Sequence, residues 1–229
     1  MTNDKRLLLW DIDATLITTG GAGDQALKRV VKERFGVDDK FYDIEIAGRT
    51  DAGIATSILR KYQVEPTSTN ISEFLEGYLT NLAELLPQID GHIMPGVVEI
   101  LERMHARPDR VLALLTGNLR RGAKLKLQRY GLWDYFEFGA FADDHADRNE
   151  LGAFARARAK EKHSADFAVA QIDVIGDTGH DIACGKIFGA RTIAVATGTW
   201  SRERLAEHDP DFLFDDLSDV NNVIATLGW

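Results

Sequence analysis

Three short polar clusters in this chain have residue types and spacings that could act on a charged substrate. The first is Asp11-Ile12-Asp13-Ala14-Thr15, directly after the apolar run Leu7-Leu8-Leu9-Trp10. Carboxylates placed hard against a strongly apolar run stand where charge is usually excluded, so the pair is expected to serve more than solvation. Two acids one residue apart at a strand end project toward a common space. The second cluster is Thr116-Gly117-Asn118, after the apolar run at 111–115. A hydroxyl, a glycine and adjacent backbone N–H groups at a strand-to-helix junction suit a phosphate cradle, and equally a plain helix cap. The third is Gly176-Asp177-Thr178-Gly179-His180-Asp181, after a strand-like run at 174–175. Asp181 lies four residues beyond Asp177, a spacing that returns it toward the strand end; it could also be only a dipole partner for the helix it opens.

Order matters more than any one cluster. Each follows a separate strand-like run, so in a parallel sheet all three fall on one edge. Asp11, Asp13 and Asp177 would then crowd three carboxylates together, which is unfavourable without a cation. Hard oxygen donors, with no cysteine or histidine cluster beside them, suit Mg²⁺ rather than zinc.

The elements that must position these residues follow from the hydrophobic pattern. Strand-like runs at 7–10, 111–115, 136–138, 174–175, 192–195 and 212–214 alternate with helical patterns at 96–106, 120–130, 150–162, 180–188, 202–207 and 218–227. Several strand runs are apolar on both faces, as in a parallel sheet covered by helices. The expected fold is therefore α/β, a doubly wound, Rossmann-like parallel sheet. Residues 18–87 break the alternation with helical stripes only, for example Leu27, Val30, Val31 and Phe35, or Phe74, Leu75, Tyr78, Leu79 and Leu82. Residues 1–17 and 89–229 thus form the expected α/β core, and 18–88 a helical insert over the strand ends, where open sheets bind ligands. Gly20, Gly21 and Gly23 mark a hinge or a loop of unusual backbone angles. In the insert, Asp51 is expected to cap its helix, and Arg49 to face the substrate.

Composition excludes several classes. The net charge of −9 argues against a nucleic-acid partner. No apolar run reaches the ~18 residues of a membrane span. The run at 7–10 is too short for a signal-peptide core, and a cytoplasmic enzyme is expected. Cys184 is the single cysteine, so no intramolecular disulfide can form, and it reads as a small buried hydrophobe. Gly21, Gly23 and Ala26 lie too far past the first strand for a dinucleotide fingerprint, and Gly185-Lys186 lacks the glycine spacing of a P-loop. Monomer and homodimer both remain open.

In order and spacing the set resembles the haloacid dehalogenase superfamily, in its branch of aspartate-nucleophile phosphatases with a helical cap, phosphoglycolate-type phosphatases included. The resemblance covers nearly the whole chain. It rests on Asp11, Asp13 and Thr15, on Thr116, and on the run from Gly176 to Asp181. It implies Asp11 as nucleophile and Asp13 as general acid and base. It implies Mg²⁺ held by Asp11, the Asp13 backbone carbonyl and Asp177, with Asp181 behind them. Thr15, Thr116, Gly117, Asn118 and Arg148 would hold the phosphoryl oxygens. Arg148 stands at the family's cationic position, for which Lys160 and Lys162 are alternatives. Ala14 stands where the family often has glycine. The implied activity is hydrolysis of a small phosphorylated metabolite. A sugar phosphomutase, a haloacid dehalogenase and a non-catalytic binding protein on the same fold are the other readings.

Overall fold

A computed structural model describes residues 5–164 and 166–229; the polar stretch at 1–4 lies outside the described residues, as does Ala165. Its centre is a six-stranded, wholly parallel sheet. The strands are β1 (Arg6–Trp10), β4 (Arg110–Leu115), β5 (Gly139–Ala140), β6 (Ile172–Gly176), β7 (Arg191–Val195) and β8 (Phe212–Phe214). Their order across the sheet is β5-β4-β1-β6-β7-β8. The expected α/β class is what the chain adopts.

The two-residue period of a strand sorts β1 between two cores. Leu8 and Trp10 face one side with Leu112, Leu114, Ile175 and Val195. That side is covered by helices α4 (Val97–His105), α5 (Arg120–Arg129) and α9 (Val220–Leu227). Leu7 and Leu9 face the other side with Val111, Ala113 and Val174, under α6 (Leu151–His163) and α7 (Gly179–Phe188). Cys184 is buried in that second core, and burial pushes its thiol up to about 11. An inert, packed thiol is what the sequence suggested. The short helix α8 (Arg202–Ala206) precedes β8.

Between β1 and α4 the chain forms α1 (Ala22–Phe35), α2 (Asp51–Lys61) and α3 (Ser68–Leu85), which share a hydrophobic cluster of their own. Two-residue strands β2 (Ile17–Thr18) and β3 (His92–Ile93) pair antiparallel where the chain leaves the sheet and returns. The crossing is tight: a Cβ on Gly20, at φ +64°, would lie 1.9 Å from the Asp90 carbonyl oxygen. Gly20 and Gly21 have positive φ, whereas Gly23 lies within α1. This ladder was not apparent from the sequence, which gave no strand at Thr18.

One core strand is displaced from its expected place. The aromatic run at 136–138 precedes the strand, and the ladder pairs Gly139 and Ala140 with Leu114 and Leu115. Phe136 packs into the first core instead, so its aromatic character reflects burial rather than strand pairing.

Candidate active site

Because β1 lies between β4 and β6, the loops after these three strands meet at one sheet edge. Asp11 begins the first loop, and its N–H donates to the Ile175 carbonyl at 2.9 Å, which ties the end of β1 to β6. Thr116-Gly117-Asn118 follows β4, and Asp177 follows β6. Single ligand oxygens of Asp11, Asp177 and Asp181 lie within 4.8 Å of one another, and all three residues are buried. Burial, with Asp181 and Asp13 nearby, pushes the Asp11 carboxyl up to about 6 against the opposing pull of Arg148. Asp177 is raised well above the carboxylate range by burial, then by Asp181 and Asp11. Buried all-oxygen donors that resist ionisation are the set a hard divalent cation stabilises, so the residues fit Mg²⁺.

Arg148 reaches this cluster, whereas Lys160 and Lys162 do not. It sits in a 3-10 turn just before α6, not on the helix, and is itself buried. Its Nη2 contacts Asp11 Oδ1 at 3.0 Å and donates to Asp181, while Nη1 donates to the Gly48 carbonyl at 3.1 Å. The carboxylates of Asp181 and Asp11 overcome burial and hold the guanidinium firmly charged. Lys160 pairs with Asp166 and Lys162 with Glu137, both on the outer surface. Asp181 also accepts from the Thr178 N–H (3.0 Å) and hydroxyl (2.7 Å), so it caps α7 and serves the cluster at once.

Asp13 lies beside the carboxylate cluster with a different set of partners. Its Oδ2 accepts from Asn118 Nδ2 at 2.8 Å and from Lys126 Nζ at 2.6 Å. Asn118 Oδ1 in turn accepts from Lys126 Nζ at 2.6 Å, and Asn118 Nδ2 also donates to Thr116 Oγ1 at 2.9 Å. Sequence reasoning missed Lys126. Its neighbours Ala123 and Leu127 are buried at helical spacing, so a lysine on that face was the available signal. The next residue, Ala14, holds φ +59°, a left-handed angle at which glycine is unstrained.

A cavity of ≈ 530 Å³ opens over these groups, between the sheet edge and α1–α3. Asp11, Asp13, Asn118, Lys126, Arg148 and Asp177 line its floor, and Arg49 and Tyr78 its roof. Thr15 and Thr116, expected against the substrate, are instead fully buried behind the lining. The Thr15 hydroxyl faces Asp177 Oδ1 at 3.5 Å. Gly117 and Asn118 do line the cavity. After β7, Gly198 leaves room that no side chain could share: a Cβ there would lie 1.7 Å from Asp177 Oδ2.

The helical layer docks directly on the second loop. The Asp51 N–H donates to the Gly117 carbonyl at 2.7 Å, and Asp51 Oδ2 accepts from the Leu119 N–H at 2.7 Å. Asp51 therefore caps α5 rather than its own helix. The N-cap of α2 is Thr50, whose hydroxyl accepts from the Gly53 N–H at 3.0 Å. The expectation for Asp51 failed because its partner is remote in sequence. A Cβ on Gly117 would lie 2.2 Å from the Arg49 carbonyl oxygen, so this contact requires glycine. Among the described residues, no helix is long and apolar enough to cross a membrane.

The chain belongs to the haloacid dehalogenase-like hydrolases, whose family model matches residues 8–186. It is 28% identical to the "Probable phosphatase IndB" of Dickeya dadantii, over 94% of this chain and 92% of that one. It is 25% identical to a phosphoglycolate phosphatase of Vibrio vulnificus, over 96% of each. Among solved structures, CbbY from Rhodobacter sphaeroides in complex with phosphate superposes with a TM-score of 0.76 at 18% identity, covering 94% of this chain and 96% of that one. The resemblance drawn from the motifs is borne out, and the chain is an enzyme of the phosphatase kind within that family.

Proposed function

We propose that this enzyme hydrolyses a small phosphate monoester, with Mg²⁺, through an aspartyl-phosphate on Asp11. The observation that carries the reading is the convergence of Asp11, Asp177 and Asp181 within 4.8 Å, with Arg148 on Asp11 and Asp13 beside it. Asp11 attacks phosphorus; its carboxylate–phosphorus bond forms as the bond to the leaving oxygen breaks. Asp13 gives that oxygen its proton. Water then attacks the phosphorus, Asp13 takes the water's proton, and the Asp11–phosphorus bond breaks to release phosphate. Arg148 and the backbone amides of Gly117 and Asn118 offset charge that develops on the phosphoryl oxygens. Asp11, Asp177 and the Asp13 carbonyl would hold Mg²⁺, with Asp181 behind, and the ion would neutralise phosphoryl charge.

In this reading residues 18–88 act as a cap on a catalytic core formed by 1–17 and 89–229. The cap excludes water and presents Arg49 to the leaving group. The substrate is a small phosphorylated metabolite, and phosphoglycolate, named for the Vibrio relative, is the first compound to try. The enzyme works in the cytoplasm as a monomer or homodimer, without nucleic acid or membrane.

The test is a screen of phosphorylated metabolites at purified-enzyme level, with Mg²⁺ and with chelator, that scores both free phosphate and isomerised product. Phosphate release that requires Mg²⁺ is expected. Release undiminished by chelation would refute the metal assignment. Isomer formation without free phosphate would make the enzyme a mutase.

A further inference from the structure

We infer that Lys126 is a positioning residue for Asp13, fixing the proton-transfer group against the leaving oxygen. The inference rests on the phosphatase reading above and deepens it. A lysine ammonium is seldom buried, because burial disfavours its charge. Lys126 is nonetheless 3% exposed, on a helix whose neighbouring positions are core. The Asp13 carboxylate, in contact with its ammonium, balances that charge inside the fold. Two of its protons are directed: one to Asp13 Oδ2 and one to Asn118 Oδ1, each at 2.6 Å. Asn118 closes the triangle by donating to the same Asp13 oxygen at 2.8 Å.

The consequence for Asp13 is orientational. One carboxylate oxygen is held by two donors from the core, so Oδ1 is left for the substrate. A carboxylate without this clamp would rotate freely, since its side chain is 45% exposed. The clamp is also seated on the cap. Lys126 faces Tyr78 of α3, and a Cβ on Gly23 of α1 would lie 3.6 Å from the Tyr78 hydroxyl and 3.8 Å from Lys126 Nζ. A Cβ at position 23 would make ordinary van der Waals contact with both. Arg148 acts on the phosphoryl side, and Lys126 acts through Asp13 on the leaving-group side. The division predicts that Lys126 matters in proportion to how much the leaving group needs a proton.

The experiment compares kcat/KM for two monoesters, because this ratio reports the steps up to formation of the Asp11 intermediate. One is the best alkyl phosphate from the screen, which must be protonated as it leaves. The other is para-nitrophenyl phosphate, which leaves readily as an anion. Wild-type turnover of the two tests the phosphatase reading separately. Lys126→Met is expected to lose about 100-fold on the alkyl ester, the lower range of general-acid contributions, and less than about tenfold on the aryl ester. Lys126→Arg should recover part of the alkyl loss, as a structural cavity effect would not. If Lys126→Met does not fold, Lys126→Gln carries the same comparison, since it fills the site without the charge. Equal loss on both esters, larger loss on the aryl ester, or no loss on either overturns the assignment.

Discussion

Removal of divalent cations should leave a protein that gains stability on mild acidification, against the usual behaviour of carboxylates. The reason lies in three carboxyls that burial raises, Asp11, Asp177 and Asp51. An ordinary Asp11 in the unfolded chain titrates near 3.8, whereas in the folded protein it is pushed up to about 6. Between those values the folded state holds a proton that the unfolded state has released. Stability from this group is therefore present at low pH and lost as pH rises through about 6. At pH 5 the folded carboxyl is about one unit below its pKa, which is worth about 1.4 kcal/mol relative to pH 8. Asp177 is raised by the same causes and adds in the same direction. The carboxyls held low in this fold, such as Asp39, finish titrating below this window. Urea unfolding in chelator at pH 5 and pH 8 measures the difference, and Asp11→Asn should shrink it by at least the Asp11 share. Equal stability at both pH values, or a difference that survives Asp11→Asn intact, would refute the crowded-carboxylate account.

Mg²⁺ at pH 8 should restore what acid restores in its absence, by about 2.7 kcal/mol at 100 times its dissociation constant, and an unchanged urea midpoint would argue against a metal site. Ala14→Gly should relieve the ~1–2 kcal/mol cost of a left-handed alanine against ~0.5–1 kcal/mol of added chain entropy, giving from about zero to about 1.5 kcal/mol of net stability; a drop in the urea midpoint would show that the angle is not strained. Asp173, fully buried at the far end of β6, binds Arg6, Arg191 and the Trp229 indole N–H. Asp173→Ala strands those donors and should cost about 3–5 kcal/mol by urea denaturation, with a cost under about 1 kcal/mol showing the cluster to be dispensable. Arg49 is exposed on the cavity wall with no ion pair among the described residues, so Arg49→Ala should lower kcat/KM for anionic leaving groups about tenfold at unchanged melting temperature, and an unaltered substrate ranking would remove it from the site.

The parts of this protein that a sequence discloses are those fixed by short-range pattern. β1, β4 and β6 are buried on both faces; unbroken apolar runs mark β1 and β4, whereas Asp173 interrupts β6 and leaves only Val174 and Ile175 legible as strand. The positions of Asp11, Asp177 and the 116–118 loop follow once those runs are taken as parallel strands. The ladder of β2 with β3 was illegible, because two residues carry no period. The 136–138 run misled because aromatic residues mark burial as well as strands. Arg148 could be placed only as one basic residue among several, and the 3-10 turn that aims it at Asp11 has no sequence signature. Lys126 was passed over among the basic residues of α5, where a charge reads as solvated, although its place on the face of Ala123 and Leu127 separates it from the exposed Lys124. The bond from Asp51 to the Leu119 amide spans two layers, and nothing in the local sequence specifies that contact.

Rapid acid quench of the enzyme during turnover, followed by peptide mass analysis, addresses the nucleophile itself. One phosphoryl group on the peptide that contains Asp11, absent in Asp11→Asn and discharged on longer incubation, is the expected result. Sustained phosphate release by Asp11→Asn, or turnover of the unaltered enzyme with no phosphoryl group found on that peptide, would contradict it.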